Sequence, residues 1–599
     1  MFLLISHKYP INDELKVRLI RDVKSSLNYY DNELLSIKST SNTILIKWSD
    51  KAKTSKDIYE GKNCYLLEEG LFFYKENLNP TKYDDLLNDY MYEKDIVKEL
   101  DGHFVLIILD KLRNKTIFIN DAIGLQHSFI YSKNNFTVIS NSLVLCSRFG
   151  EKDLDYLACN EFLSTGNVFE DRTIFKNIKR ISGGHIIIIS NGEIVKQNYW
   201  LGLSEYKTNS IKSNEAIELI STTTDSIIKT LKYYNNNIIC DLTGGFDSRF
   251  LLLFLLKNNI NATFTVSGDL NTADVQIAKI IANKFDLKLK VIYLNDTEKF
   301  LDKIEYLSFL TNGTMSILPY LNSYISHILS YEKNCIHITG TGGELIRWDW
   351  PKYEGLFAGL RKTVNTKIIV KSRFSSELVS RKYFIGELRK DLILHFTRLV
   401  NSISNQYPNV KNVPKVDFIW LITRLQCWGG AFRNANTHIQ PIITPFLTLK
   451  FMRSAFSIHY SLKRRHYLVR KLMYEMNEEL SSIETEIGMP YQTVDFNNII
   501  KFSQYYLKSL KNINKLKKFI PSINSIPNNS EIDKYLNSYF TNKDFHLFKT
   551  SEFFDKNYID ELIYLGMKKN TNENLLLWRL LTLEEFLTRC SHSFDYFNK

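Results

Sequence analysis

The sequence of 599 residues has neither paired cysteines nor a long apolar run. Its seven cysteines include no CxxC pair, which argues against a zinc site and against a disulfide framework. A membrane-spanning helix needs about 18 consecutive apolar residues, and no apolar stretch of this sequence is that long. The opening MFLLISHKYP turns polar too early for a secretory signal. We therefore expect a soluble, cytoplasmic protein whose thiols are free.

Charge of one sign is also not concentrated along the chain. The formal net charge is +12, but the 77 basic and 65 acidic residues are mostly intermixed, as on a solvated surface. We therefore expect no stable complex with nucleic acid. The 44% hydrophobic fraction is ordinary for a globular protein, so extensive disorder is not expected.

Three patterns divide the chain. Residues 1–205 contain short alternating apolar runs such as HFVLIILD and KTIFIN, separated by Asn, Gly and Asp, which predicts an antiparallel β-sandwich-like domain. Residues 206–355 alternate strand-like and helix-like stretches, which predicts a parallel α/β sheet with crossover helices. Residues 356–599 are dominated by helical periodicity, which predicts a helical C-terminal extension.

The stretch IICDLTGGFDSRF predicts a buried strand, a glycine turn and the start of a helix. Such a turn aims backbone N–H groups at one point, where the helix dipole favours an anion. Gly244 and Gly245 permit close approach of a phosphate, and the hydroxyls of Thr243 and Ser248 can donate to it. Asp247 would repel a phosphate, so we expect this carboxylate to hold Mg²⁺ against it.

A second glycine-rich turn follows in CIHITGTGGELIRWDW, where a predicted strand ends before Gly340, Gly342 and the acid Glu344. Because parallel strands end at the same edge of a sheet, we expect the two turns to be neighbours. Glu344 can then reach the Mg²⁺ held by Asp247, directly or through water. This turn alone favours a solvated loop, whereas its pairing with the first turn favours a site.

Both turns resemble those of known ATP-using enzymes. TGGFDS resembles the SGGxDS loop of ATP pyrophosphatases, whereas no GxxxxGK[ST] phosphate loop occurs. GTGGE resembles the GxGxDE segment of the asparagine synthetase family, with Glu344 where Asp is usual. Upstream, DGHFVLIILDKLRNKTIFIN resembles the Ntn-like domain of class II glutamine amidotransferases. Downstream, PIITPFLTLKFMRSAF resembles the helical tail of asparagine synthetases, β-lactam synthetases and lasso peptide cyclases.

The resemblance implies an activity and a set of ligands. ATP with Mg²⁺ would bind across the two turns, a substrate carboxylate would be adenylated with release of pyrophosphate, and ammonia or an amine would displace AMP to form an amide. Adenine would lie along the strand TFTVSG. The implied metal ligands are Asp247 and Glu344. The implied nucleotide-binding residues are Leu242, Thr243, Gly244, Gly245, Asp247, Ser248, Val266, Ser267, Gly340 and Gly342.

The basic run LKRRHYLVRKLM is the counterpart of the segment that stabilises the leaving pyrophosphate in that family. Arg465 or His466 falls near the family's lysine, and Arg470 falls at its arginine. Together with Asp247 and Glu344, these three residues are the predicted catalytic groups. Arginine suits a pyrophosphate through bidentate contacts, although the run is equally compatible with a solvated helix face.

The chain departs from the amidotransferases at the nucleophile. Those enzymes use an N-terminal cysteine, whereas Phe2 stands here and the first cysteine is Cys64. Cys64 lacks the adjacent α-amino group that acts as the base, so we expect it to be a buried structural thiol. The resemblance to the asparagine synthetase family, together with the missing N-terminal cysteine, implies an amide ligase without glutaminase activity.

The acceptor is expected to be the carboxylate of a small molecule, peptide or saccharide, as in bacterial natural product or surface polysaccharide synthesis. Two alternatives stay open: a tRNA-modifying ATP pyrophosphatase, which shares the first turn, and a catalytically inactive scaffold. The basic amphipathic stretch at 501–520 is compatible with weak contact with a membrane surface or with covering the protein's own core. No residue pattern indicates the oligomeric state.

Overall fold

The computed structural model describes residues 1–25, 35–48, 57–206, 211, 213–234, 237–294, 297–374, 378–485, 491–492, 499–500, 502–503, 530–568 and 571–591. The strands are β1 (Phe2–His7), β2 (Leu35–Ser39), β3 (Thr43–Trp48), β4 (Tyr59–Glu60), β5 (Cys64–Tyr74), β6 (Leu100–Asp110), β7 (Lys115–Asn120), β8 (Phe129–Lys133), β9 (Phe136–Ser140), β10 (Ile178–Arg180), β11 (His185–Ser190), β12 (Glu193–Asn198), β13 (Ile238–Asp241), β14 (Thr263–Ser267), β15 (Lys288–Ile292), β16 (Ile336–Ile338) and β17 (Ile442–Ile443).

The α-helices are α1 (Asp13–Ser25), α2 (Lys82–Met91), α3 (Leu143–Ser147), α4 (Tyr156–Thr165), α5 (Ser213–Leu231), α6 (Phe246–Lys257), α7 (Ala273–Lys284), α8 (Ile304–Leu310), α9 (Ile317–Ser330), α10 (Thr366–Arg373), α11 (Leu392–Asn405), α12 (Asn412–Trp420), α13 (Gly430–Asn436), α14 (Leu449–Ser457), α15 (Tyr467–Met476), α16 (Glu478–Ser482), α17 (Ser530–Asn542), α18 (Ile559–Gly566) and α19 (Asn572–Arg589). A π-helix spans Leu421–Gly429, between α12 and α13.

Two six-stranded antiparallel sheets form the N-terminal part. The first has the strand order β10-β8-β9-β1-β3-β2, and the second has the order β12-β11-β7-β6-β5-β4. Phe2 and Leu4 of β1 share one buried apolar cluster with Val105 and Ile107 of β6. Alternate side chains of each strand point inward, so the sheets pack face to face. The predicted antiparallel β-sandwich is confirmed.

A five-stranded parallel sheet follows, in the order β15-β14-β13-β16-β17. Its central strand, β13, has three consecutive buried residues, Ile238, Ile239 and Cys240, as expected for a parallel strand that is covered on both faces. The strand order changes direction between β13 and β16. The predicted parallel α/β domain is confirmed, and its carboxyl edge contains a topological switch point.

The parallel sheet is not confined to residues 206–355. Its edge strand β17 pairs with β16 through His337 and Ile442 and comes from the stretch that was predicted to be helical. This strand has only two residues, too few to produce an alternating pattern in the sequence. Its pairing with β16 depends on the tertiary packing of the helices around it.

The C-terminal helices contribute to two large apolar clusters, which they share with the parallel domain and with the N-terminal part. Helix α19 is buried along most of its length, from Asn574 to Glu584, and it packs against α4, α8 and α18. A helix that is buried on all sides lies in the interior of a large protein. The predicted helical extension is confirmed, and it ties the β-sandwich to the parallel domain.

Within the described ranges, no helix combines the length and the apolar character needed to cross a membrane. The amphipathic stretch at 501–520 lies outside the described residues, apart from Phe502 and Ser503. The prediction of membrane contact there stays a prediction.

Candidate active site

The two glycine-rich turns meet at the carboxyl edge of the parallel sheet. The first follows β13 and leads into α6, and the second follows β16 and leads into a short 3-10 turn, Gly343–Ile346. Strands β13 and β16 are neighbours on the two sides of the switch point. In open α/β sheets this crevice is where ligands bind.

The first turn is held in shape by its own side chains. Ser248 Oγ accepts a hydrogen bond from the Thr243 N–H at 3.0 Å and lies 3.1 Å from Thr243 Oγ1. Thr243 Oγ1 accepts from the Gly245 N–H at 3.1 Å. Gly245 is the N-cap of α6 and provides no side-chain cap, so the first N–H groups of this helix stay available to an anion.

Two further residues hold this turn, and neither was predicted. Asp274, in the first turn of α7, accepts a hydrogen bond from the Gly244 N–H at 2.7 Å. Tyr491 donates its hydroxyl to the Gly244 carbonyl at 3.0 Å. The acid at the start of the helix after β14 is a signal that could have pointed to Asp274. Tyr491 has no such signal, because it is separated from the turn by more than two hundred residues.

The second turn packs directly onto Asp247. A Cβ added to Gly343 would lie 2.1 Å from Asp247 Oδ1, and one added to Gly340 would lie 2.9 Å from Asp247 Cβ. Gly342 has φ +94°, and a Cβ there would meet Leu447 at 2.5 Å. These glycines are therefore required for the close approach of the two turns.

Arg347 occupies the space between the acidic side chains. Its Nη2 donates to Asp247 Oδ2 at 2.7 Å, and its Nη1 lies 3.3 Å from Asp349 Oδ2. Burial raises the pKa of Asp247; Arg347 opposes this rise, whereas Glu344 and Asp349 add to it. Asp247 thus depends on a neighbouring cation to keep its charge in this buried place.

Two of the carboxylates predicted to bind Mg²⁺ lie in the two turns that meet at this edge. Asp247 and Glu344 lie in adjoining turns and offer the hard oxygen ligands that Mg²⁺ prefers. Glu344 Oε2 accepts from the Gly342 N–H at 3.0 Å, and Asp247 is paired with Arg347. Among the described residues, no group of three or more His, Cys, Asp or Glu side chains is arranged to hold a metal. Asp247 and Glu344 could supply two ligands to Mg²⁺. The remaining ligands would then be phosphate oxygens and water, and Asp247 would have to separate from Arg347.

The predicted basic residues take different positions. His466 borders the site, with its ring 5.0 Å from Phe246, and burial lowers its pKa to about 4, so it is neutral at pH 7. Arg470 is buried and donates to the carbonyls of Arg465 and Gln492 at 3.1 Å each. Arg465 itself is exposed. Arg347, which lies three residues after Glu344, is a cation that contacts Asp247 directly.

A cavity of about 320 Å³ opens at the same edge of the sheet. Its walls come from the ends of β13, β14, β16 and β17, from α9 and from the π-helix with α13. Trp428 and Phe432 supply apolar surface, and Ser267, Thr339 and Thr341 supply hydroxyls. Ser267 lines the cavity, whereas the side chain of the neighbouring Val266 is buried. The predicted contact of both residues with a nucleotide stays a prediction.

A polar chain of side chains that was not predicted forms one wall of this cavity. His337 Nε2 lies 2.8 Å from Asp241 Oδ1, and Gln440 Nε2 lies 2.9 Å from Nδ1 of both His337 and His327. Gln440 thus joins the Nδ1 atoms of the two rings, and the Nε2 atom of His337 faces Asp241. Burial raises the pKa of Asp241, but the contact with His337 outweighs this, so the pKa is lowered overall and the carboxylate stays charged.

The N-terminal part contains no exposed thiol among its described residues. Cys64, Cys146 and Cys159 are all buried, and burial raises the pKa of Cys64 to about 11. A thiol with such a pKa is a poor nucleophile at neutral pH. Phe2, at the start of β1, is fully buried in the apolar layer between the two sheets.

A family model of the glutamine amidotransferase domain matches residues 86–200. This part of the chain is similar to glutamine amidotransferases. The match covers β6 to β12 and begins after the residues at which those enzymes carry their nucleophile. No curated protein matches the sequence.

Solved structures resemble the chain only remotely. The glutamine phosphoribosylpyrophosphate (PRPP) amidotransferase from B. subtilis complexed with ADP and GMP has 8% identity and a TM-score of 0.21, and the match covers 44% of this chain and 65% of that one. The allosteric regulatory enzyme of purine biosynthesis has 8% identity and a TM-score of 0.19, covering 49% and 74%. NMN synthetase from Francisella tularensis has 13% identity and a TM-score of 0.17, covering 43% and 97%.

Proposed function

We propose that the protein is an ATP-dependent ligase that adenylates a substrate carboxylate and transfers the acyl group to an amine or ammonia. One observation carries this proposal: the TGGFDS and GTGGE turns meet at the switch point of a parallel sheet, with Gly343 packed on Asp247. The cavity at the same edge supports it. The amidotransferase-like segment at 86–200 is consistent with amide chemistry.

In this proposal the phosphates of ATP lie at the N-terminus of α6, where the first N–H groups are not capped by a side chain. The Thr243 and Ser248 hydroxyls, which contact each other at 3.1 Å, turn toward the phosphate oxygens. The nucleoside enters the cavity beside Ser267. Mg²⁺, held by Asp247 and Glu344, would neutralise phosphate charge when bound.

The chemistry then takes two steps. A carboxylate oxygen of the substrate attacks the α-phosphorus of ATP, and the bond from that phosphorus to pyrophosphate breaks. The nitrogen of the amine next attacks the acyl carbon, AMP leaves with the oxygen that joined it to the acyl group, and the amine loses one proton. The protein's contribution is to align the reacting groups and to stabilise the charge that develops on phosphate.

The nitrogen in this proposal does not come from glutamine hydrolysed by the N-terminal part. The described cysteines there are buried, and the pKa of Cys64 is raised. We propose that the β-sandwich supports the synthetase domain. His103 Nε2 contacts the Thr444 carbonyl at 3.0 Å, and Arg433 donates to Gln126 at 2.9 Å, so the two parts share a buried polar contact.

Exchange of labelled pyrophosphate into ATP tests the proposal, because the adenylation step is reversible and needs no amine. Purified protein would be assayed with Mg²⁺ against a panel of carboxylic acids, which includes amino acids, peptides and uronic acids. We expect exchange that depends on one class of acid. Exchange with none of the acids, together with no binding of ATP, would reject the proposal.

A second candidate, an inactive scaffold, is favoured by the pairing of Arg347 with Asp247 at 2.7 Å. In this case the guanidinium permanently replaces the metal ion. The two candidates differ in the effect of Mg²⁺ on nucleotide affinity. The ligase should bind ATP more tightly with Mg²⁺, whereas the scaffold should show no effect of the ion.

A further inference from the structure

Hydroxyl groups form much of the wall of the cavity at the carboxyl edge of the parallel sheet. The serines and threonines that line it include Ser267, Ser323, Ser326, Thr339 and Thr341. Ligand cavities in proteins are more often lined by apolar and aromatic side chains with a few polar groups. A wall rich in hydroxyls suits a ligand that itself carries several hydrogen-bonding groups.

Asp241 presents a carboxylate to the same cavity. Its side chain is 39% exposed, and it lines the cavity at the end of β13. The contacts with His337 Nε2 at 2.8 Å and with Thr265 Oγ1 at 3.5 Å both involve Oδ1. Because a carboxylate has about four acceptor positions, Asp241 can also accept hydrogen bonds from two groups of a ligand.

Other polar groups of the wall also have hydrogen-bonding capacity to spare. Ser267 and Ser326 contact each other at 2.8 Å, and Thr339 and Thr341 do so at 3.2 Å. A hydroxyl donates one hydrogen bond and has two acceptor lone pairs, so acceptor positions remain in each pair. Asn436 lines the cavity and is 2% exposed, and its Oδ1 has no hydrogen-bond partner among the described residues. Because an unsatisfied buried acceptor is costly, a hydroxyl of a ligand would be favoured there.

Two aromatic side chains give the cavity an apolar surface as well. Trp428, from the π-helix, and Phe432, from α13, line the cavity with their ring centroids 4.5 Å apart. Both side chains are half-buried. A sugar ring has C–H groups on its faces and hydroxyls around its rim, so one face can pack on aromatic rings while the rim meets polar groups. The cavity offers both kinds of surface.

We propose that this cavity binds a sugar ring, with Asp241 accepting hydrogen bonds from two neighbouring hydroxyls. A carboxylate accepts from a ribose hydroxyl in the dinucleotide-binding α/β domains. An amine would satisfy Asp241 but not the serines and threonines around it. A carboxylate would be repelled by Asp241, and Arg433, which also lines the cavity, directs its Nη atoms to Gln126 at 2.9 Å and to the Ile442 carbonyl at 2.7 Å.

The ring has two possible sources, the ribose of ATP and a sugar that carries the substrate carboxylate. Thr265 pairs with Asp241 in the register of β13 and β14, and Ser267 follows Thr265 by two residues. Because side chains two residues apart share a face of the sheet, Ser267 and Asp241 lie on one face, roughly 8 Å apart. A nucleoside beside Ser267 can therefore reach Asp241. The proposal rests on the proposed function where the ring is ribose, and it stands without that function where the ring belongs to another sugar.

Nucleotide analogues and free sugars, tested on the full chain, distinguish the two sources. Isothermal titration calorimetry with Mg²⁺ would compare ATP with 2′-deoxyATP and 3′-deoxyATP. Saturation-transfer difference NMR would examine D-glucuronic acid and D-galacturonic acid, which combine a sugar ring with a carboxylate. If the ring is ribose, at least one deoxy analogue should bind about tenfold or more weakly than ATP. If the ring belongs to the substrate, the three nucleotides should bind alike and a uronic acid should give a signal.

Two variants and a control test the named residues. Asp241→Ala removes both carboxylate oxygens, so the preference for ATP over its deoxy analogue, or the signal of the uronic acid, should fall about tenfold or disappear. Trp428→Leu removes an aromatic ring from a half-buried position and should weaken the same binding, which provides a second test if the Asp241 variant does not fold. Asp269→Asn changes an exposed aspartate after β14 and should bind as the wild type does.

Three results would overturn the proposal. In the first, ATP and both deoxy analogues bind alike and neither uronic acid gives a signal, which leaves the ligase standing. In the second, the wild-type protein binds neither ATP nor a uronic acid, which rejects the ligase as well. In the third, sugar-dependent binding is unchanged in the folded Asp241 variant, or in the Trp428 variant if the former does not fold. A uronic acid that binds in the absence of any ATP binding would support the sugar site and reject the ligase.

Discussion

Arg347 Nη2 lies 2.7 Å from Asp247 Oδ2, so the carboxylate predicted to hold a metal ion is held by a guanidinium. The two residues are 100 positions apart and meet because the turns after β13 and β16 end at the same edge of the sheet. Asp349 contacts the same guanidinium at 3.3 Å. This pairing balances the charge of Asp247, and in the proposed function it has to open before Asp247 binds Mg²⁺.

Asp247→Asn should abolish adenylation and leave the fold intact. The amide keeps the shape of the side chain but removes the charge that the metal requires, so pyrophosphate exchange should fall about 100-fold or more. Asp269→Asn, which changes an exposed aspartate after β14, is the matched control and should retain activity. Exchange within about threefold of the wild type, about 0.65 kcal/mol of barrier, would reject the assignment of Asp247.

Arg347→Gln should lower the Mg²⁺ concentration that gives half-maximal exchange. Without the guanidinium, the metal no longer competes for Asp247, and we expect a shift of about threefold to tenfold. Arg464→Gln, at the border of the site, should leave the Mg²⁺ dependence unchanged. A higher Mg²⁺ requirement in the Arg347 variant would mean that the arginine binds phosphate rather than guarding the carboxylate.

Glu344→Gln should have the opposite effect. It removes one of the two anionic ligands, so the half-maximal Mg²⁺ concentration should rise about tenfold or more. The measurement is a titration of exchange activity with Mg²⁺ at saturating ATP. If the titration curve coincides with that of the wild type, the second metal-binding acid lies elsewhere.

Glutamine should not be hydrolysed. The pKa of the Cys64 thiol is raised to about 11 by burial, so little thiolate exists at neutral pH. A coupled assay for glutamate should give no signal with the wild-type protein or with Cys64→Ser. Release of glutamate that disappears in the Cys64 variant would show that this thiol is a working nucleophile and that the proposed source of nitrogen is wrong.

Lys463→Met should destabilise the protein in a pH-dependent way. Lys463 and Asp417 form an ion pair at 2.6 Å whose side chains are 4% and 0% exposed, so removing the lysine leaves a buried carboxylate uncompensated, at a cost of about 3–5 kcal/mol. Lys471→Met, which removes a partly exposed partner of Glu475, should cost far less.

The pH dependence follows from Asp417. Burial raises its pKa from 3.8 to about 6, although Lys463 lowers it, so the variant's pKa should be higher still. A carboxyl group whose pKa is raised in the folded state stabilises the fold below its unfolded pKa and loses that contribution as the pH rises through the folded value. Urea unfolding should therefore show that Lys463→Met lowers the free energy of unfolding, relative to the wild type, by less at pH 5 than at pH 8. Equal losses at both values would contradict this reasoning.

The sequence was sufficient to predict the sheets and the two turns because their signals are local. Alternating apolar residues marked the β-sandwich, and strands followed at once by glycines and a helix marked Thr243–Ser248. Parallel strand ends share one edge, so the meeting of Gly340 with Asp247 could also be anticipated.

The remainder depends on contacts between distant segments. Tyr491 contacts Gly244 from a distant part of the sequence. The contacts between Asp241, His337 and Gln440 connect β13, β16 and the loop before β17. No spacing rule connects such residues. Arg347 lies three residues after the predicted acid Glu344, but only the structure, with the 3-10 turn over Gly343–Ile346, shows that its side chain reaches Asp247.

Transfer of oxygen from the carboxylate to AMP tests the adenylation claim most directly. The acid that supports exchange would be labelled with ¹⁸O in its carboxyl group and turned over with ATP, Mg²⁺ and an amine, and the AMP would be examined by ³¹P NMR or mass spectrometry. We predict one ¹⁸O atom in the phosphate of AMP and one in the amide product. AMP without the label, or formation of ADP and phosphate in place of AMP and pyrophosphate, would contradict the account.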